Sequence, residues 1–327
     1  MSSNLALGGL VTVFGGSGFV GRHAVQNLAR KGWRIRAAVR RPDLAGHLQP
    51  MGRLGQIHAV QANVRFPDSV AQAVKDAFAV VNAVGILAPT GRQSFDAVHV
   101  KGARAVAKAA REAGAERLVH ISAIGADLNS PSAYARTKAE AEQAVLEEFP
   151  NAVIIRPSIV FGPEDEFFNR FASMARISPF LPLIGGGRTR FQPIYAGDLG
   201  AAITNAVEGR AKSGTIYEVG GPEVFTFRQL LDKVQEWTDR RRLYFPIPFW
   251  LASLMAVLTS PLPNALRPFT LDQVRLLKQD NVVSKAAEEE GRTLQALGIS
   301  QPHTIEAIVP PYLEWMKPQG QFARYRG

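Results

Sequence analysis

Two groups of residues in this chain could do chemistry by their type and spacing. In Tyr134-Ala135-Arg136-Thr137-Lys138 a phenol and an ammonium stand four residues apart, which puts them on one face of a helix. A nearby ammonium favours the phenolate and lowers a phenol's pKa from its ordinary value of about 10. Tyr134 is thereby a candidate general acid or base acting on a carbonyl or an alcohol. Ser122, twelve residues upstream, is the candidate donor to the reacting oxygen.

The second group is Gly15-Gly16-Ser17-Gly18-Phe19-Val20-Gly21, directly after the apolar run LVTVF. A pyrophosphate resting on the N–H groups of a helix N-terminus needs a close approach that a Cβ would block. The strand–turn–helix setting is what separates such a loop from an ordinary glycine-rich turn. The spacing predicts dinucleotide contacts from Gly15, Ser17, Gly18, Phe19, Val20 and Gly21. At the end of the second apolar run, where an acid would hold a ribose 2′-hydroxyl, the chain has Arg40-Arg41. Guanidinium forks suit a 2′-phosphate, and Arg22 just past the loop is placed to join them. The reading is therefore NADPH in preference to NADH. Position adds Asn63 and Val64 near the adenine, and Ala83, Val84 and Gly85 beside the cofactor. Lys138 would then also hold the nicotinamide ribose.

These residues need a scaffold. Short apolar runs at 10–14, 34–39, 58–61, 79–84, 118–122 and 153–156 alternate with amphipathic stretches at 21–31, 69–77, 95–113 and 133–148. Strands that are apolar throughout and separated by helices imply a parallel sheet covered on both faces. This is an α/β, doubly wound Rossmann pattern. Downstream, a helix is expected over 197–208, and Thr226 is expected to cap another whose Phe227, Leu230, Leu231, Val234 and Trp237 fall at helical spacing. From Phe245 prolines are dense, at 246, 248, 261, 263 and 268. The expected organisation is a nucleotide-binding domain over 1–222 and a smaller, interwoven C-terminal lobe over 223–327.

Composition narrows the classes. The 327 residues are ample for a real core, and with no cysteine there is no disulfide, thiolate or cysteine–zinc chemistry. The net charge of +10 is uneven: residues 1–111 hold 15 basic and 4 acidic side chains. This excess suggests an anionic partner for the first third. The basic residues are dispersed, so nucleic acid is not expected, and the six histidines lack metal-ligand spacing, so no metal is expected. The first ten residues do not read as a secretory signal. Phe249–Leu258, the most apolar stretch of the chain, is too short to span a bilayer; it is expected either to be buried in the small lobe or to touch a membrane interface. Arg240-Arg241-Arg242 before it could meet headgroups or an acidic subunit, or simply be solvated.

GGSGFVG, the Ser122…Tyr134-x-x-x-Lys138 set and Arg156-Pro157-Ser158 resemble the extended or atypical short-chain dehydrogenase/reductases, over nearly the whole chain. More narrowly, RPSIVFGPEDEFFNRFA (156–172), FQPIYAGDLGAAI (191–203) and YEVGGPEVFTFRQLL (217–231) resemble the nucleotide-binding accessory subunits of respiratory complex I and their bacterial homologues. The resemblance implies a tightly held NADPH, with Pro157 and Ile159 among its contacts. It also implies association with other complex I subunits near the quinone region, and a structural role without established turnover. The place implied is peripheral, on the cytoplasmic side of a bacterial inner membrane or the matrix side in a mitochondrion, and lipid contact through 245–270 is one of the two readings of that segment. Two positions depart from the family pattern: Phe14 stands where threonine is usual, and Asn63 where aspartate is common. The alternative is a free-standing NAD(P)H-dependent reductase, epimerase or dehydratase using Ser122, Tyr134 and Lys138 on a carbonyl, sugar or quinone-like substrate.

Overall fold

A computed structural model describes residues 9–260, 269–318 and Gly320. Residues 1–8 and the prolines at 261, 263 and 268 lie outside the described residues. The described chain forms two compact units that interleave along the sequence. One takes the chain up to Pro157, Ala196–Val219 and Val283–Ser300; the other takes Ser158–Tyr195 and the described parts of 220–282 and 301–327.

The first unit runs β1 (Leu10–Phe14), α1 (Phe19–Arg30), β2 (Arg34–Val39), β3 (Ile57–Gln61), α2 (Pro67–Val74), β4 (Ala79–Asn82), α3 (Lys101–Glu112), β5 (Arg117–Ile121), α4 (Ala133–Glu148) and β6 (Val153–Pro157). With Ile216–Val219 these strands make a seven-stranded sheet, ordered from that strand through β6, β5, β4, β1 and β2 to β3, and parallel at every pairing. The doubly wound expectation holds. The central strands are apolar on both faces because helices cover both; Val11, Val13, Val80 and Val81 are wholly buried. Between β1 and β4 the winding reverses, and such a reversal opens a crevice at the carboxyl ends of the strands.

Element ends moved for local reasons. The second helix begins at Pro67, earlier than expected, because proline is pre-organised for a first helical position. The stretch 95–113 is not one α-helix. Asp96–Val100 is a π-helical turn, and the extra residue in that turn goes with His99 being buried at 2% exposure.

The second unit has its own core, built on Phe161, Phe168, Leu230, Leu231, Val309 and Leu313. Thr226 caps Phe227–Trp237 as expected, and Gln229 completes the capping box. In the helix Phe249–Leu258 the small residues Ala252 and Ala256 pack inward, while Trp250, Leu254, Val257 and Leu258 are exposed. Arg240 and Arg242 are tied into this unit through the carbonyls of Met316 and Ala175. Among the described residues no helix is long and apolar enough to cross a membrane.

Candidate functional site

The crevice at the reversal is a cleft of 200 Å³, lined by residues that follow four neighbouring strands. From β1 come Gly15, Ser17 and Gly18; from β2, Arg40; from β3, Asn63, Val64 and Arg65; from β4, Ala83, Val84, Gly85 and Ile86. The glycine loop is held by Gly15 N–H donating to Ala38 O (3.0 Å) and Gly18 N–H donating to Gly15 O (2.9 Å). Gly15 has φ +73°, a left-handed turn that a side chain would strain. A Cβ on Gly21 would lie 2.1 Å from Gly15 O, so α1 abuts the loop backbone to backbone. Gly18 is the N-cap of α1, with no side-chain cap and no acid in the first turn. The N–H groups of this turn, including those of Phe19 and Val20, are an anion seat by position and dipole. A second hollow of 330 Å³ lies on Asp127, Asn129, Gln143 and Arg156, and neither the glycine loop nor the N-terminus of α1 lines it. The glycine cleft is the one whose chemistry fits a dinucleotide.

The sequence-predicted cations separate. Arg40 lines the cleft, but Arg41 turns onto Asp43 at 2.7 Å, with both side chains well exposed. Arg22 donates to Ser17 O (3.2 Å) and so braces the glycine loop. Asn63 accepts Arg65 N–H on its Oδ1 (3.1 Å), which leaves its amide Nδ2 as the group for an adenine edge. Pro157 ends β6, while Ile159 belongs to the second unit, where its N–H donates to Asn281 Oδ1 (2.9 Å).

Tyr134 and Lys138 share a face of α4, which Ser132 caps by accepting Ala135 N–H. Lys138 is buried at 4% exposure and donates to Ile121 O at 2.8 Å. Burial pushes its pKa down to about 8 against the opposing charge of Glu142. A Cβ on Gly85 would lie 3.9 Å from Lys138 Nζ, so this helix reaches the cleft. Tyr134 is half-buried, with Phe95 and His99 edge-on at 6.0 and 5.5 Å. Ser122 does not follow the expected pattern. Its hydroxyl donates to the buried Glu142 carboxylate, which also accepts Arg156 Nε at 2.8 Å and Nη2 at 2.6 Å. Lys138 Nζ thus stands beside Gly85 of the cleft, Tyr134 shares its helix face, and the Ser122 hydroxyl is committed to an ion pair.

A family model described as NAD(P)H-binding matches residues 15–166. Among curated proteins, the chain is 38% identical to NADH dehydrogenase (ubiquinone) 1 alpha subcomplex subunit 9, mitochondrial, of Arabidopsis thaliana, covering 85% of this chain and 72% of that protein. It is 34% identical to the protein of the same name from Rattus norvegicus, covering 91% and 78%. The chain belongs to this subunit family. Among solved structures, the NADPH-dependent quinone oxidoreductase QOR2 of Escherichia coli, complexed with NADPH, superposes with a TM-score of 0.71 at 20% identity, covering 93% of this chain and 99% of that one. At that identity it speaks for the fold alone.

In this member of the subunit 9 family, three site residues escaped the sequence reading: Arg65, Glu142 and His99. Glu142 stands four residues beyond Lys138, and that spacing was the available signal. His99 joins three elements. Its Nε2 accepts Ile86 N–H (3.1 Å), so its proton sits on Nδ1, facing Thr137 Oγ1 at 3.1 Å. Burial, then the Lys138 charge, pushes its pKa from 6.5 down to about 3. His120 is lowered in the same direction, burial leading. Asn82 Nδ2 donates to its Nδ1 (3.1 Å), and its Nε2 has no partner among the described residues.

Between about pH 6.5 and 3 the unfolded chain protonates His99 and the native chain does not, so protons favour unfolding. Stability falls as pH drops through this window, by about 1.4 kcal/mol per pH unit for one such group. Unfolding free energies from urea titrations between about pH 6.5 and 4.5 should fall more steeply than this, because His120 is shifted in the same direction, and His99→Gln should flatten the slope by one proton's share. An unchanged slope in the variant would mean that His99 is not held neutral.

Proposed function

We propose that this chain is an accessory subunit of a respiratory complex I that holds NADPH and contributes structure without turnover of its own. The observation that carries this reading is an intact dinucleotide cleft beside a serine whose hydroxyl is committed to the Glu142–Arg156 pair. Its relatives carry the names of complex I subunits. NADPH is favoured over NADH because Arg40, and no acid, lines the cleft at the end of β2. Within such a complex the glycine loop binds the pyrophosphate, Lys138 and Tyr134 hold the nicotinamide ribose, and bound nucleotide stabilises the fold by mass action. The exposed apolar side chains of Trp250, Leu254 and Leu258 suit contact with other subunits or with lipid near the quinone region. The position is peripheral, on the cytoplasmic face of a bacterial inner membrane or the matrix face in a mitochondrion.

The test is capture of the tagged full chain from detergent-solubilised membranes of its own source. Other complex I subunits should co-purify, and NADPH should be released on denaturation in about equal amount to the chain. Capture without those subunits defeats the proposal.

A second reading, a free-standing reductase, is favoured by one observation: Lys138 Nζ stands beside Gly85 with Tyr134 on the same helix face. Tyr134→Phe separates the two. An accessory subunit keeps its nucleotide in the variant, and NADPH oxidation with quinones or aldehydes stays at background in both forms. Wild-type turnover that the variant abolishes would establish the enzyme instead.

A further inference from the structure

Resting on the dinucleotide reading above, we propose that Arg65, acting with Arg40, sets the preference for a 2′-phosphate, and that Arg41 takes no part. The residues after β2 and β3 are brought together because these strands pair in register, Val39 beside Gln61. Arg40 and Arg65 therefore follow adjoining strand ends, line the same cleft, and both reach the turn at 90–93. Val39 and Asn63 line it too, so the two guanidiniums border the place where an adenosine ribose would lie.

What each guanidinium holds decides between the three arginines. Arg40 Nη1 donates to Gln93 Oε1 at 2.5 Å, and Arg65 Nη1 donates to Arg92 O at 3.1 Å. Both acceptors are neutral. Both belong to one tight turn, closed by Thr90 and Gln93 exchanging backbone hydrogen bonds of 3.1 and 3.0 Å. Gly91 supplies its positive φ of +55°. Neither arginine pairs with a carboxylate among the described residues. A phosphate dianion makes charge-assisted, forked bonds that outcompete an amide or a carbonyl, so it can draw these two side chains without breaking an ion pair. Arg41 is different. It already makes hydrogen bonds to both carboxylate oxygens of Asp43, and leaving them for a phosphate exchanges one anion for another. Arg65 also stacks over Phe66, its guanidinium carbon 5.7 Å from the ring centroid, which limits its rotamers and suits a planar fork.

The experiment measures binding of NADPH and NADH to the full chain, in wild type and in R65A, R65K, R40A and R41A. Arg65→Ala should weaken NADPH about 10- to 100-fold, the range for losing a hydrogen-bonded charge contact, and leave NADH within about twofold. Arg40→Ala should behave alike, Arg41→Ala should change neither nucleotide, and Arg65→Lys should recover part of the loss because it restores charge without the fork. Unchanged NADH binding shows that the variant cleft is still folded. The inference is overturned if Arg41→Ala carries the NADPH loss, or if Arg65→Ala lowers both nucleotides equally. If the wild type binds neither nucleotide, it is the dinucleotide reading itself that fails.

Discussion

A chain carrying Gly21→Val should purify with no nicotinamide nucleotide and melt at a lower temperature than the wild type. The Cβ alone, 2.1 Å from Gly15 O, 2.8 Å from Gly15 C and 2.9 Å from Gly16 Cα, cannot be accommodated where it stands. All three contacts are backbone, so no side-chain rotation relieves them. The loop cannot retreat, because Gly15 N–H is bonded to Ala38 O in the neighbouring strand. Nor can α1 retreat. It lies against Ala196–Val207 so closely that a Cβ on Gly200 would meet His23 O at 2.7 Å. Something must shift at a cost of about 1–3 kcal/mol or more. The element that gives is the loop whose N–H groups form the anion seat, so affinity should drop by at least about a hundredfold, as for loss of two charge-assisted backbone bonds. Released nucleotide is read by absorbance after denaturation, and the melting temperature by calorimetry. Gly46→Ala is the control, since nothing lies within 4 Å of its Cβ. A Gly21→Val chain that keeps a full complement of nucleotide would mean that the dinucleotide does not rest on this turn.

This prediction could be drawn largely from the sequence, because the constraint is local. A glycine every third residue between an apolar run and an amphipathic one describes a chain turning back on itself within seven residues, and the structure has that turn. The sheet was legible for a related reason. LVTVF and AVVN lack an outward charged face, and only a strand covered on both sides can dispense with one; in RIRAAV the charges are confined to the first half of the strand. What escaped depends on partners distant in sequence. Arg65 matters because β3 lies beside β2, and its acceptor is 27 residues away. Arg40 and Arg41 are equal in sequence and separate only because Asp43 lies within reach of the second. His99 was hidden inside what reads as one long helix; the π-helical turn that buries it leaves the apolar spacing of 95–113 almost intact. The spacing of Ser122 from Tyr134 places it along the chain but does not say what its hydroxyl meets. Its acceptor lies 20 residues on, at the next turn of the helix face that carries Lys138.

Glu142→Ala should cost about 3–5 kcal/mol of stability, the range for removing one partner of a buried ion pair. The carboxylate is 3% exposed. It accepts two bonds from Arg156, whose side chain is 21% exposed and whose remaining contact with Glu218 is long, at 3.4 Å. Without Glu142 that guanidinium stays mostly desolvated with one weak partner, and the Ser122 hydroxyl loses its acceptor in a buried position. The second loss gives the sharper test. Ser122→Ala alone should cost about 1 kcal/mol, as for one buried hydrogen bond. In the Glu142→Ala background the same substitution should cost almost nothing, because the bond is already gone. Urea unfolding of the four chains yields that coupling. Nucleotide binding by Ser122→Ala should match the wild type, since the hydroxyl serves the ion pair and not the cofactor. A serine acting on a bound carbonyl would produce the reverse pattern, with unchanged stability, additive costs and lost turnover. That result would return Ser122 to the reacting centre and remove the chief argument against catalysis by Tyr134 and Lys138.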